Sequence, residues 1–248
     1  RGAVTGSAVL SSPISSMNLD VDLLCDSTYV ANMPLGVINI GSEWNDDDRR
    51  FDFFAQNMLN GTNNLNITGN YSPKNRYIDT EIEMNKLQVG YAQPLLNFIF
   101  SEMNGFMSGQ ISAKGPLDQI NISSRNTRID KTLLKVAYTG VPYVAEGNFS
   151  MDHTGVYFDD INFVDQYDGT GKIKGSINYN YFRDLGFDMH ILANQIEAIN
   201  LTEENPYFYG HMFGTGDVYF TGPVRSTLMT IDATTVKQGE LHIPTDYA

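Results

Sequence analysis

Cysteine is nearly absent. Cys25 is the sole one, so neither an internal disulfide framework nor a cysteine-based zinc site can be built. A lone thiol closing the run Val21 to Cys25 reads as a small buried side chain rather than a nucleophile. Basic charge is scarce as well. Sixteen Lys and Arg face 29 Asp and Glu, a net charge of −13. That balance argues against nucleic-acid binding, which needs clustered cations to neutralise phosphates. It equally disfavours broad docking on an anionic membrane surface. Long apolar runs are missing: the longest cluster, Pro94 to Phe100, contains Asn97 and falls well short of the ~20 residues that span a bilayer as a helix.

Chemistry-bearing motifs are missing too. His153, His190, His211 and His242 stand at no metal-ligand spacing from one another and read as surface or rim residues. Gly214-Thr-Gly216 lies between strand-like runs, with no helix behind it to present an N-terminus to phosphate. There is no nucleophile elbow. Neither a catalytic residue nor a metal or other cofactor is expected.

What is abundant is alternation. Ile78-Asp-Thr-Glu-Ile82-Glu-Met84 places apolar side chains on one parity and mostly acids on the other. Leu65, Ile67 and Tyr71 do the same, as do Tyr143, Ala145, Phe149 and Met151, then Ile173, Ile177, Tyr179 and Tyr181. Leu185, Phe187, Met189 and Ile191 follow, and Met229, Ile231 and Ala233 come last. Successive strand side chains point to opposite faces, so each run predicts a strand with one apolar and one polar surface. Apolar residues make up 42% of the chain and aromatics 12%, almost all Tyr and Phe, which suits a pleated, half-buried surface.

Asn60-Gly61, Asp168-Gly169 and Asn104-Gly105 are turn or loop dipeptides, and strands joined by such short links pair antiparallel. The best helix candidate is Tyr91 to Met103, where Leu95, Leu96, Ile99, Phe100 and Met103 follow three-and-four spacing and Asn104-Gly105 supplies a stop. A weaker helical turn is expected around Leu201 to Asn205, with Thr202 before two acids. An internal repeat also runs through the chain. Gly105 to Gly109 leads to Gly115-Pro116-Leu117, and Gly216 to Gly222-Pro223-Val224 keeps the spacing. Gly2 to Gly6 with Ser12-Pro13-Ile14 is fainter, and Gly171 to Gly175 echoes the first half. Repeated strand-turn units point to a sheet built by accretion. The fold class expected is therefore all-β, an elongated antiparallel meander with one or two short helices.

Carboxylates are plentiful enough to pair by chance. Asp46-Asp47-Asp48, beside Trp44 and Arg49-Arg50, lacks the spaced pattern of a calcium loop and reads as a solvated turn. Asp159-Asp160 and Asp165 to Asp168 could flank a cleft as acid and base, but the polar face of an acidic sheet explains them more simply. Tyr157, Phe158, Tyr179, Tyr181, Phe182, Tyr207 and Tyr209 could stack on sugars or line a lipid path; ordinary strand packing accounts for them equally. Many strands with one apolar face and few helices to cover it leave three outcomes. The face meets another sheet, closes into a barrel, or curls around something apolar that is not protein.

Several segments, in order, resemble the C-terminal region of the TamB family of translocation and assembly proteins, related to the AsmA-like lipid-transfer group. They are Gly105 to Leu117, Leu134 to Gly140, Tyr157 to Asp165, Gly171 to Ile177, Tyr209 to Pro223 and the Ile243-Pro244 ending. The likeness covers residues 79–244, in a wording similar to Bacteroidetes-type versions. It implies that residues 1–248 are a single unit of a β-taco, a long sheet folded into an apolar groove, cut from a longer protein. It further implies a periplasmic protein held in the inner membrane by an anchor outside this segment. Such a protein would carry phospholipid acyl chains toward the outer membrane, or support outer-membrane protein assembly with an Omp85-type barrel partner, without being an enzyme. The groove would be lined by Leu65, Ile67, Ile78, Ile82, Met84, Ile111, Leu134 and Val136. Tyr143, Phe149, Met151, Ile173, Ile177, Tyr179, Leu185, Phe187, Met189, Ile191, Val218, Phe220, Met229 and Ile231 would continue the lining. A β-sandwich or adhesin-like binding module, with apolar faces meeting each other, is the alternative. A carbohydrate-active solenoid and an outer-membrane barrel fit less well.

Overall fold

The computed structural model describes residues 3–11, 18–30, 32–181, 183–236 and 239–244. Ser12-Pro13-Ile14, Gly2 and Phe182, singled out above, lie outside them. The chain is all-β and antiparallel. Its strands are β1 (Ala3–Ser11), β2 (Asn18–Val30), β3 (Met33–Asn45), β4 (Arg50–Met58), β5 (Leu65–Ser72), β6 (Tyr77–Gln88), β7 (Phe100–Pro116) and β8 (Asn121–Val136). Then come β9 (Pro142–Met151), β10 (Gly155–Val164), β11 (Thr170–Asn180), β12 (Arg183–Leu201), β13 (Tyr209–Pro223), β14 (Leu228–Thr235) and β15 (Glu240–His242). Each strand from β1 to β13 pairs with the next in sequence, and β15 adds to β13. This is the meander that short turns between alternating runs require.

The chain packs as two compact units. One comprises Arg1–Leu87, Met107–Thr127 and Ser150–His153; the other comprises Gln88–Phe106, Arg128–Phe149 and Thr154–Ala248. In the first, Asn60 and Gly61 both take positive φ between the bridged residues Leu59 and Thr62. This two-residue turn carries the twist that antiparallel strands need. In the second, Asp168 is left-handed in the turn joining β10 to β11.

The long helix expected over Tyr91 to Met103 does not form. A 3₁₀ turn at Val89–Ala92 runs into the four-residue helix α1 (Gln93–Leu96), and β7 begins at Phe100. Gln93 draws the chain out of the helix: its side-chain amide donates to the Ser101 carbonyl and its Oε1 accepts the Met103 amide. Asn104-Gly105 is accordingly no helix stop but lies inside β7. A Cβ on Gly105 would sit 2.6 Å from the Thr132 Cα, so glycine here allows a close backbone approach. Around Leu201 to Asn205 there is one turn, closed by the Asn205 amide on the Thr202 carbonyl at 3.0 Å, and no helix. The repeat proves to be strand-level: Gly115-Pro116 ends β7 and Gly222-Pro223 ends β13. Proline stops both because it cannot donate to a ladder.

Little of the chain is deeply buried. The accessible surface is 15287 Å².

Candidate functional site

In the first unit the register gathers most apolar side chains on one face, with Leu24, Val37, Phe54 and Met58 on the other. Leu23 pairs with Ile40, Ile40 with Ala55, Ala55 with Ile67 and Ile67 with Ile82. Parallel rows run from Cys25 to Ile38, through Trp44, Phe51, Tyr71 and Ile78, and from Leu65 to Met84. Directly paired residues share a face, so β2 to β6 present one apolar surface, and Val4 of β1 joins it opposite Cys25. The reverse surface carries Asp22, Asn39, Glu43, Asp52, Gln56, Asn66, Asp79, Glu81 and Glu83. Lys114 of β7 bridges Asp79 and Glu81 there, and Gln110 donates to Glu83. Alternation then sets Ile111 on the apolar side. The Asp79 carboxylate, and then Glu81, raises the pKa of the Lys114 ammonium.

This apolar surface is only partly buried. Among the described residues of the unit, only Leu35, Met84 and Ile122 are buried apolar side chains, while Leu23, Ile38, Ile40, Phe51, Phe53, Ile67, Ile78 and Ile82 stay half-buried. Five strands at about 4.8 Å spacing present about 19 Å along the hydrogen-bonding direction, more than the ~15 Å half-thickness of a bilayer's hydrocarbon core. With four same-face positions per strand the face spans about 380 Å², within the range of the largest apolar patch on a typical monomer, which is often functional. At one end Asn57 closes the row. It donates to the Leu35 carbonyl at 3.0 Å and accepts from the Asn64 and Leu65 amides, so this buried amide is satisfied.

In the second unit the same sorting holds. Ile173, Ile191, Val218 and Ile231 form one cross-strand row, Met189, Phe220 and Met229 another, and Ile177 pairs with Phe187. Coverage, however, is uneven. Ala145, Ile161, Phe163 and Ile196 are buried as a core, and Ile129, Leu134, Tyr143, Ile173 and Ile191 pack against it. Tyr179 is buried as well, whereas Leu185 and Met229 are exposed and Ile231 is 58% exposed. Val136 and Phe149 are half-buried here, as is Met151 in the first unit.

Beside that core lies a polar cluster that sequence reading missed. Glu197 is fully buried. Its carboxylate accepts from Gln166 at 3.1 Å and Asn200 at 2.9 Å, and pairs with His211 at 2.7 Å. The Tyr143 hydroxyl donates to the Glu197 carbonyl at 2.8 Å. Burial, then the carboxylates of Glu197 and Asp165, pushes the Tyr143 phenol well above its ordinary range. Asp165 is not a cleft acid. Its oxygens accept the amides of Tyr167, Gly169 and Glu197, which fixes the β10–β11 turn. Asn200 lies on the same strand as Glu197 and His211 on the next, but Gln166, Asp165 and Tyr143 are 31, 32 and 54 residues away, so only the β9–β13 pairing could reveal the cluster. Asp160, at a positive φ in β10, pairs with Lys174. Asp46 to Asp48 form the β3–β4 turn, held by the Asn45 side chain, the Trp44 indole and Arg50.

Among the described residues no group of three or more His, Cys, Asp or Glu is placed to hold a metal ion. No family model, no curated protein and no solved structure matches the chain.

Proposed function

We propose that this chain is part of a lipid-carrying groove protein of the Gram-negative envelope. It would move phospholipid between inner and outer membranes, or support outer-membrane protein assembly with an Omp85-type barrel. The observation that carries the reading is the continuous, only half-buried apolar face of β2 to β6, backed by a reverse face rich in acids. The ordered resemblance to TamB proteins is its second support, and periplasmic placement with an inner-membrane anchor outside this segment comes with that resemblance.

The mechanism is physical rather than catalytic. Each methylene taken out of water contributes ~0.8 kcal/mol, so one acyl chain gains on the order of 10 kcal/mol on such a face. Rows of aliphatic side chains continue from strand to strand, so a chain can slide without losing burial. Head groups remain in water. An aliphatic wall discriminates weakly among tails, because one methylene more or less is worth little.

The test is lipid extraction from the purified protein followed by mass spectrometry, together with photo-crosslinkers at Ile67, Ile177, Phe187 and Ile231. Crosslinkers at Asp79 and Glu81 serve as controls. Near-stoichiometric phospholipid and labelling confined to the apolar positions are expected. Equal labelling of the acidic controls would sink the reading.

A further inference from the structure

Beyond the groove, we infer that one end of the second unit is a contact surface for the headgroup region of zwitterionic, ammonium-bearing phospholipid bilayers. Five segments meet at that end. The Ala137 amide donates to the Ile99 carbonyl, joining the approach to β7 with the β8–β9 turn. In that turn Tyr138 packs edge-on against Phe208, ring centroids 5.4 Å apart, and the Asn200 amide donates to the Thr139 carbonyl. Asn200 pairs with His211, which contacts the Tyr167 ring of the β10–β11 turn and pairs with Glu240 of β15.

The tips of these segments are aromatic and apolar, and they stand in solvent. Tyr207 is 68% exposed, Tyr138 59% and Phe98 50%; Tyr167, Leu241 and Ile243 are exposed too. Tyrosine and phenylalanine projecting together from strand ends suit the boundary between acyl chains and water, where an amphipathic ring has each part in its preferred medium.

Charge decides what kind of bilayer. Residues 97–99, 137–141, 166–169, 202–208 and 239–244 contain Asp168, Glu203, Glu204 and Glu240, the last paired with His242 at 3.5 Å, and not one Lys or Arg. Anionic headgroups would be repelled. The ammonium of phosphatidylethanolamine or phosphatidylcholine is instead attracted both to the carboxylates and to the faces of Tyr138 and Tyr207.

The experiment is flotation of the full chain with phosphatidylethanolamine–phosphatidylcholine vesicles, and with the same vesicles containing phosphatidylglycerol. Wild type is expected to float with the first and less with the second. Combining Tyr138→Ser with Tyr207→Ser is expected to weaken binding by about tenfold for each side chain, whereas Tyr219→Ser on the polar face changes nothing. Three results would overturn the inference: no flotation, flotation that rises with anionic lipid, or a double variant that floats like wild type. Self-association abolished by the double variant, without flotation of wild type, would assign the surface to a second copy instead. The groove reading fails separately, because it is read by co-purified lipid. The rim variant leaves co-purified lipid unchanged, and a charge at Ile67 removes it while leaving flotation intact.

Discussion

Replacing Ile67 with Asp places a carboxylate in the middle of the row Leu23–Ile40–Ala55–Ile67–Ile82. Two arrangements of the same sheet predict different outcomes. Were this row the interior of a closed two-layer core, an unpaired buried charge would cost about 3–5 kcal/mol, on top of the lost burial. On the open face Ile67 is half-buried, so the loss is about half of a full side-chain transfer, roughly 1 kcal/mol, and the new carboxylate keeps its water. Thermal unfolding of the delipidated variant should therefore shift by only about 2–4 °C. Co-purified phospholipid should fall sharply, because any acyl chain on the row must now desolvate a charge. Differential scanning calorimetry reads the first quantity and lipid mass spectrometry the second. Thr68→Lys, opposite Glu81 on the reverse face, should lower neither. A drop of more than about 10 °C for Ile67→Asp, equivalent to several kcal/mol, would refute the open face. Unchanged lipid content would refute its role in holding lipid.

Tyr143→Phe removes the hydrogen bond to the Glu197 carbonyl and should cost about 1 kcal/mol. It should also flatten the alkaline limb of stability. The folded pKa is raised, so the contribution of Tyr143 is fully present below about pH 10 and fades as pH rises toward the folded value; pH-dependent urea melts check both. Glu197→Leu strands the Gln166, Asn200 and His211 groups that now meet the carboxylate and should cost about 3 kcal/mol, with Glu197→Gln costing less. Gly61→Ala meets no neighbouring atom and should cost about 1 kcal/mol through backbone conformation alone. Gly105→Ala meets the Thr132 backbone as well and should cost more than that; paired denaturant titrations separate the two.

The fold class was legible because alternation is a local signal. Ile78 to Met84 and Leu65 to Tyr71 each announce their own parity, and the ladder confirms it pair by pair. The face contributed by β3 and β4 was harder to read. Val37-Ile38 and Phe53-Phe54 put apolar residues on both parities, and only the register shows that Ile38 and Phe53 belong to the apolar surface while Phe54 lies over Gly41 on the other. The false helix has a similar cause. Leu96, Ile99 and Met103 satisfy helical spacing by chance, while Gln93 and the β7 pairing, both non-local, decide the outcome. Glu197 could not be foreseen at all, since an acid in a strand reads as solvated until Gln166, Asn200 and His211 are brought to it.

An aliphatic face of this extent also has a consequence for the protein without its cargo. Apolar surface left in water tends to find any apolar partner, and contiguous patches near the upper end of what monomers tolerate drive association. The acidic reverse face, with Asp79, Glu81 and Glu83, opposes stacking of that side but leaves the apolar side free to pair with another copy. The delipidated chain should therefore bind a hydrophobic dye strongly and self-associate as concentration rises. A long-chain fatty acid should reverse both effects, and a short-chain acid should not, because gain scales with buried methylenes. Light scattering and dye fluorescence across a chain-length series read the dependence. A response independent of chain length would mean that the face does not take hydrocarbon along its cross-strand rows.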